Sequence, residues 1–588
     1  MARPVRIGNF SGFLGDRFTA LAEILHGGDV DIVMGDYLAE ATMAGVSSLF
    51  RGNLAGQQDF YAAPFLQQIE PELGFIAEKG VKVIVNAGAF NPRGLADALR
   101  VMIAEQGLDL SVAFIEGDDV LPVIPNLQTA GNLHHLDTGE PLDLSDQSLV
   151  AANAYLGGWG IVEALSAGSD IVIGGRISDA SLVAGPAAWW HDWQLDDWDR
   201  LAGAVIAGHV IECGPQPSGG NFSGFESIPD RLVLGFPIAE IADDGSFVIT
   251  KHEGTGGTVT VDTVTAQLLY EIQGVRYLNP DVVVHMDTIR VEQQGLNRVR
   301  VSGTTGSAAS LTTKIGIFAE HGYKATFFGF VTGLQAQEKV AMLEGQLRGT
   351  VDHLGISELR IRPMGQPIDD PATQWEATMP VFISAAAETK ESLQGLHAAF
   401  MGLGLSSYPG WYTDGSVNIT GRTEYFPGLA PLDRLHHRVV LADGSVIDAP
   451  PVPAEAYLGQ PHQDVSTVPT PVEQADDVRV PFGSIAYARS SDKGANSDLG
   501  VWTPIPEAAE WLTGFLTTER LRALLGEPDE VVIERYELPN LHGLTFVLRG
   551  HLGTSGASNL DADTLSKALS EFLRARIISV PARFTSAA

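Results

Sequence analysis

Cysteine is almost absent from this sequence. Its 588 residues contain one, Cys213, which excludes an intramolecular disulfide framework and any zinc or iron–sulfur site built from several cysteines. Basic residues are scarce too: 37 Lys and Arg stand against 72 Asp and Glu, a formal net charge of −35. A field of that sign repels phosphate backbones and anionic lipid, so neither nucleic acid nor a membrane surface is expected as a partner. No apolar run approaches the roughly 18 residues a spanning helix needs. The opening MARPVRIGNF leads straight into a strand pattern without a cleavable signal. A cytoplasmic protein is expected. The residues are 45% hydrophobic and 19% charged, enough apolar material for a large core and too much for a disordered chain.

Glycine is plentiful, and its placement follows a grammar. Four apolar runs, Val30 to Glu40, Val81 to Gly94, Leu110 to Asp119 and Ser169 to Leu182, each end in glycine and polar residues before a helix-like stretch. Continuous Val/Ile runs without alternation read as strands buried on both faces, as in a parallel sheet. The expected fold class is α/β: a layered, largely parallel-sheet core domain over residues 1–445. Within it, LVLGFPIAEIADDGSFVITKHEG reads as a hairpin turning at Asp244–Gly245, and LAGAVIAGHVIECG as a helix. Residues 446–479 carry Pro450, Pro451, Pro453, Pro461, Pro469 and Pro471 with little periodicity, and read as a linker. Residues 480–588 alternate strands and helices as a small α+β domain of ferredoxin-like type.

In a parallel sheet, chemistry gathers where strands end and helices begin. Those ends carry Asn86, Arg176 and Asp179. In GGRISDAS the glycines let the backbone approach a ligand, and Arg176 offers a fork for an anion. Asp179 serves equally well as a helix cap. The hexapeptide GNFSGF occurs at Gly8 to Phe13 and again at Gly220 to Phe225, presenting Asn9, Ser11 and Asn221 on glycine loops. Lys251, His252, Gly256 and Gly257 lie in a glycine-rich turn before a helix, a natural anion seat that matches neither G-x-G-x-x-G nor the P-loop. Glu212 follows His209 by three residues on one helix face, a pairing suited to acid/base work and weak as a metal site without H-E-x-x-H. Cys213 reads as a small buried hydrophobe before it reads as a nucleophile. Near the C-terminus, Arg489, Asp492 and Lys493 share one tight loop able to grip a carboxylate, phosphate or thioester. Each of these groups also has an ordinary role as a turn, a cap or a solvated charge.

Together, VRIGNFSGFLGDR, DIVMGDYLAEATM, IVNAGAFNP, ANAYLGGWGIVEAL, DIVIGGRISDASL, HVIECGPQPSGGNF, KHEGTGGTVTVDTVTAQLLYEI and ARSSDKGANSDLGVW resemble the acyclic terpene utilisation family, the AtuA-like proteins. The likeness runs from residue 5 to about 440 and again from about 480 to 585. It implies an AtuA core followed by a ferredoxin-fold domain, and a setting in the breakdown of citronellol- or geraniol-type terpenes through branched acyl-CoA thioesters. The family's C-terminal loop usually reads closer to S-G-D-K-G. Here Ser491 replaces the glycine, which raises the expectation of a different loop backbone.

The favoured expectation is a lyase-type enzyme acting on a branched acyl-CoA or carboxylate. Glu212, Asp179 and His252 would be its acid/base groups. Asn9, Ser11, Asn86, Arg176, Asn221, Lys251, Gly256, Gly257, Arg489, Asp492 and Lys493 would bind the substrate. No redox cofactor motif is visible, and a divalent metal stays open. The alternatives are a non-catalytic acyl-CoA-binding or carboxylase-accessory protein, and a metal-dependent hydrolase. A homo-oligomer is expected.

Overall fold

The computed structural model describes residues 3–47, 60–461, 463, 471, 474, 477–553 and 555–585. Its largest sheet has eleven strands. Five strands at its centre are parallel and lie in the order Val5–Ser11, Ile32–Gly35, Lys82–Val85, Ile171–Ile173, Val112–Glu116. Their apolar runs are continuous because both faces are covered. Ile32 and Met34 point into one core with the helices Ser181–His191 and Trp198–Ile211, while Val33 points into a second core with the helices Ala20–His26 and Pro92–Glu105. The Trp198–Ile211 helix is built of small residues so that it can sit close. A Cβ added at Gly208 would lie 2.4 Å from the Ala180 carbonyl oxygen.

The sheet as a whole is mixed, which corrects the largely parallel core expected from sequence. Pro237–Ile241 adds antiparallel to Val5–Ser11 and is followed outward by Phe247–Lys251, Arg298–Ser302 and Arg290–Gly295. At the other edge, Arg438–Val440 adds antiparallel to Val112–Glu116, with Val446–Asp448 beyond it. The hairpin at Asp244–Gly245 forms as read, with Ala242 and Ser246 closing it. Its pairing with the first strand is a long-range event that no local pattern announces.

A second sheet is organised around the 21-residue strand Thr312–Thr332, which pairs with Thr378–Ala387 and Asn418–Pro431. The helices Ala336–Arg348 and Lys390–Gly402 cover one face. Part of the segment read as a linker is pinned to this core: Ala454–Glu455 pairs with Ala309–Ser310, and Gln460 exchanges hydrogen bonds with the backbone of Arg276. Residues 462, 464–470, 472, 473, 475 and 476 of that segment lie outside the described residues.

The C-terminal body runs strand, strand, helix pair, strand, strand, helix between two outer strands, Asp477–Pro481 and Ile577–Pro581, that pair with each other. Its antiparallel sheet has the order Tyr487–Lys493, Asn496–Trp502, Gly543–Arg549, Val532–Leu538. Every residue of Asn496–Trp502 is buried. Leu499 and Val501 face the helices of this body, whereas Gly500 and Trp502 face the large one. A Cβ at Gly500 would meet Leu269, and the Trp502 indole donates to Asp262. This strand is therefore covered on both faces, the second time by the other body.

Candidate active site

The parallel strands deliver polar side chains to one end. The register of the first strand slips between Asn9 and Ser11, a bulge that turns the Asn9 amide inward. Its Nδ2 donates to the Ser11 and Glu212 carbonyls, and its buried Oδ1 has no partner. The Ser11 hydroxyl donates to the carbonyls of Phe13 and Asp36. Asn86 supports Asp36, with Nδ2 donating 2.6 Å to the Asp36 carboxyl while Oδ1 accepts from the Tyr37 N–H. Burial, with Asp179 adding to it, raises Asp36 well above the ordinary carboxylate range.

Arg176 stands at the centre. It is 2% exposed, lies 4.1 Å over the Tyr155 ring, and donates to Asp179 and the Ile177 carbonyl. Its Nε is buried without a partner. Burial works against its charge, but Asp179 and Tyr155 outweigh burial and hold it more firmly protonated than usual. A second cation, Lys314, donates 2.6 Å to Glu40, which also accepts from the Tyr155 hydroxyl at 2.8 Å. Burial would raise Glu40, yet Lys314, Lys493 and Arg176 together hold it well below the usual range.

Glu212 closes the Trp198–Ile211 helix, one turn after His209. His209 Nε2 lies 2.9 Å from the Gln267 carbonyl oxygen, which can only accept, so Nε2 carries a proton. Burial lowers His209 to about 4, leaving the ring neutral and Nδ1 an acceptor. Glu212 Oε1 lies 3.2 Å from that Nδ1. Two acceptors do not bond, so the Glu212 carboxyl supplies the proton. Its own pKa points the same way, raised well above normal by burial and by the neighbouring Asp179 and Glu271. Oε2 remains buried and unpartnered. With both ring nitrogens engaged, His209 is poorly placed as a metal ligand. Among the described residues no three His, Cys, Asp or Glu side chains come together to hold an ion.

The C-terminal body completes the cluster. Lys493 pairs with Glu271, and Ser491 Oγ donates 2.7 Å to the other oxygen of the same carboxylate. Lys567 Nζ lies 2.6 Å from Ser491 Oγ and donates to the Tyr270 hydroxyl. Burial would raise Glu271, but Lys493 and Lys567 bring it down to about 2. Its backbone has φ 60°, the left-handed region that a residue with a Cβ seldom occupies. Arg489 reaches across to Gln216 and the Asn221 carbonyl and covers the Tyr270 ring at 4.6 Å. Burial and Glu271 raise Asp492 to about 6.

Of the residues singled out in the sequence, Asn9, Ser11, Asn86, Arg176, Asp179, Glu212 and Lys493 meet here, with Arg489, Asn221 and Asp492 at the seam between the bodies. Lys251, His252, Gly256 and Gly257 do not. His252 Nε2 bonds the Ile24 carbonyl, and the ring packs on Gly27 and Gly28. Lys251 folds back onto Thr255. Gly256 backs closely onto Asp230 and Val233, and Gly257 onto Ser218. The helix start they were read as exposing caps itself: Thr260 and Thr263 form a reciprocal capping box, and the Val261 N–H goes to Gln293. Sequence reading missed Glu40, Tyr155, Glu271, Lys314 and Lys567, because a lone charge in a strand, helix or loop carries no local signal of its partner.

The profile of the acyclic terpene utilisation family protein AtuA matches residues 5–441, and that of the AtuA ferredoxin-like domain matches residues 480–579. The chain belongs to the AtuA family. No curated protein and no solved structure matches it. The AtuA and ferredoxin-like segments meet at this polar cluster, with Glu271 on one side and Lys493 and Lys567 on the other. Among the described residues no helix is long and apolar enough to cross a membrane.

Proposed function

We propose that this AtuA protein is an enzyme of acyclic terpene or related branched-chain breakdown. It acts on a branched acyl-CoA or carboxylate by hydration, dehydration or carbon–carbon cleavage. The observation that supports this reading is the Glu212–His209 pair: a buried carboxyl whose hydrogen bonding requires a proton, set among Arg176–Asp179 and Lys493–Glu271.

Acid/base chemistry beside a carbonyl needs a proton donor, a proton acceptor and a cation to steady the oxygen. Glu212 is the donor, and His209 holds its carboxyl in orientation. The Asp179 carboxylate is the acceptor. Arg176, with its free Nε, receives the carboxylate or thioester oxygen. In a dehydration, Asp179 takes the proton α to the carbonyl while the Glu212 proton leaves its bond to His209 Nδ1 and passes to the departing hydroxyl. Water leaves, and one proton has moved between the two carboxyls. The hydration is the same path reversed.

The test is incubation of the full-length protein with branched enoyl- and 3-hydroxyacyl-CoAs, followed by mass spectrometry. A mass change of one water, or a cleaved acyl fragment, is expected. Glu212→Gln should lower kcat by about 10²–10⁴-fold, the usual worth of a positioned acid. Binding without turnover across the panel, or a Gln variant of undiminished rate, would overturn the catalytic reading. The first of these outcomes would favour a binding or accessory role.

A further inference from the structure

A cavity of about 460 Å³ opens beside the strand ends, between the start of the Pro92–Glu105 helix, the Glu116–Val123 loop and the Arg434–Arg438 segment. Its size suits a small molecule. Its floor and its rim differ in chemistry. The floor presents acceptors. Asn153 is 2% exposed, donates through Nδ2 to Asp118 at 2.9 Å, and keeps Oδ1 buried without a partner. Asp118 is 4% exposed. Burial raises it to about 6, so it is largely a carboxylate at neutral pH.

The rim presents donors. Arg93, Arg434 and Arg438 all line it, in a chain whose net charge is −35. Glu116 is shared between Arg93 at 2.9 Å and Arg438 at 3.5 Å, so one carboxylate answers two guanidiniums. The remaining wall is mixed, with Phe90 and Leu121 beside Asn91, Asp119 and His436.

We propose that this cavity binds a phosphate ester bearing hydroxyl groups, a nucleotide or a sugar phosphate, with its hydroxyls on Asp118 and Asn153 and its phosphate on the arginine rim. An orphaned, buried acceptor is costly unless a donor completes it, and a hydroxyl of the ligand supplies that donor. A phosphate on the rim gains forked, charge-assisted hydrogen bonds. The cavity borders the Arg176 cluster, since Asp118 accepts from the Arg176 N–H at 2.8 Å, but the proposal does not use the acid/base reading of Glu212 and stands if that reading fails.

The test is isothermal titration calorimetry of the full-length chain with AMP, ribose 5-phosphate, adenosine and inorganic phosphate. AMP or ribose 5-phosphate should bind at least tenfold more tightly than either adenosine or phosphate alone. AMP tighter than ribose 5-phosphate identifies a nucleotide site, and equal affinity a sugar phosphate site. Arg434→Ala with Arg438→Ala, both at exposed side chains, should weaken binding at least tenfold without disturbing the fold. Asn153→Leu should do the same from the floor. The proposal is overturned if neither phosphate ester binds, or if binding survives both variants.

Discussion

Replacing Asp498 by asparagine tests whether the C-terminal body is held against the core at the cost of a buried charge. Asp498 is 1% exposed on the strand that faces the large body. Oδ1 accepts from Gln273 across the seam at 3.3 Å, and Oδ2 has no partner. Burial, only partly offset by Lys493, raises its carboxyl from 3.8 to about 7. The folded-state value lies above the unfolded one, so ionisation opposes folding. The cost is absent below about 3.8, grows as pH rises and is complete above about 7. Linkage between these two values gives roughly 4 kcal/mol at pH 8 and roughly 2 kcal/mol at pH 5, a ceiling that local relaxation reduces. Asparagine keeps the shape and the Gln273 contact but never ionises. Its orphaned amide hydrogens cost about 1–3 kcal/mol at every pH. That constant term cancels when two pH values are compared. Thermal unfolding of both proteins at pH 5 and pH 8 should therefore show the variant gaining about 2 kcal/mol relative to wild type on going to pH 8. For 588 residues unfolding as one unit, an entropy of roughly 2.1 cal/mol/K per residue gives about 1 °C per kcal/mol, a shift of about 2 °C. A difference in midpoint that does not change with pH, or that moves against the variant at pH 8, would refute the assignment of a charge penalty to Asp498.

Glu271→Gln should act in the opposite sense. Its folded-state value of about 2 lies below the ordinary 4.5, so its contribution is present above about 4.5 and is lost as pH falls toward 2. At pH 7 the variant should lose roughly 3 kcal/mol in thermal unfolding, because Lys493 is left half-buried without its anion. His437 is half-buried with its Nε2 enclosed, and desolvation lowers it to about 4. Wild type should lose about 2 kcal/mol relative to His437→Gln between pH 8 and pH 5, as the unfolded chain takes up a proton that the fold refuses. Gly208→Ala drives a methyl to within 2.4 Å of the Ala180 carbonyl oxygen, a backbone atom that cannot swing away. A loss of roughly 1–3 kcal/mol is expected in thermal unfolding, and an unchanged midpoint would mean that the two segments separate more readily than their packing suggests.

The parts of the fold legible in the sequence were those whose signal is local. The Val/Ile runs at Ile32–Gly35 and Lys82–Val85 announce burial on both faces, and both faces are covered. The antiparallel flanks were not legible as part of the same sheet. A three-residue strand such as Arg438–Val440 has no periodicity to read, and its partner Val112–Glu116 lies more than 300 residues earlier. The site divides in the same way. Arg176, Asp179 and Glu212 sit at element ends, where glycine and polar residues mark a loop. Lys314 is one residue inside a strand of 21, Glu40 opens a helix, and Lys567 precedes one. Each becomes significant only through a partner hundreds of residues away. The glycine-rich turn at Gly254–Gly257 was misleading because the amides of Thr260, Val261 and Thr263 at its helix start are already taken by Thr263, Gln293 and Thr260.

Ser491 bears on how the two bodies close. The backbone there is regular: the Tyr487–Lys493 strand pairs residue for residue with Asn496–Trp502 through Ser491 and Asp498. The effect is at the side chain. Lys567 Nζ lies 3.7 Å from Glu271, too far for a hydrogen bond, and the Ser491 hydroxyl stands between them, 2.6 Å from one and 2.7 Å from the other. A hydroxyl can accept from an ammonium and donate to a carboxylate at once, so it turns a loose ion pair into a continuous hydrogen-bonded chain running Tyr270, Lys567, Ser491, Glu271, Lys493. A glycine would leave that gap to solvent. In this chain the gap is filled by protein, and the strained Glu271 backbone is held by contacts from the C-terminal body. The ferredoxin-like domain is in this way a structural part of the cluster's electrostatics, because both cations beside Glu271, Lys493 and Lys567, come from it.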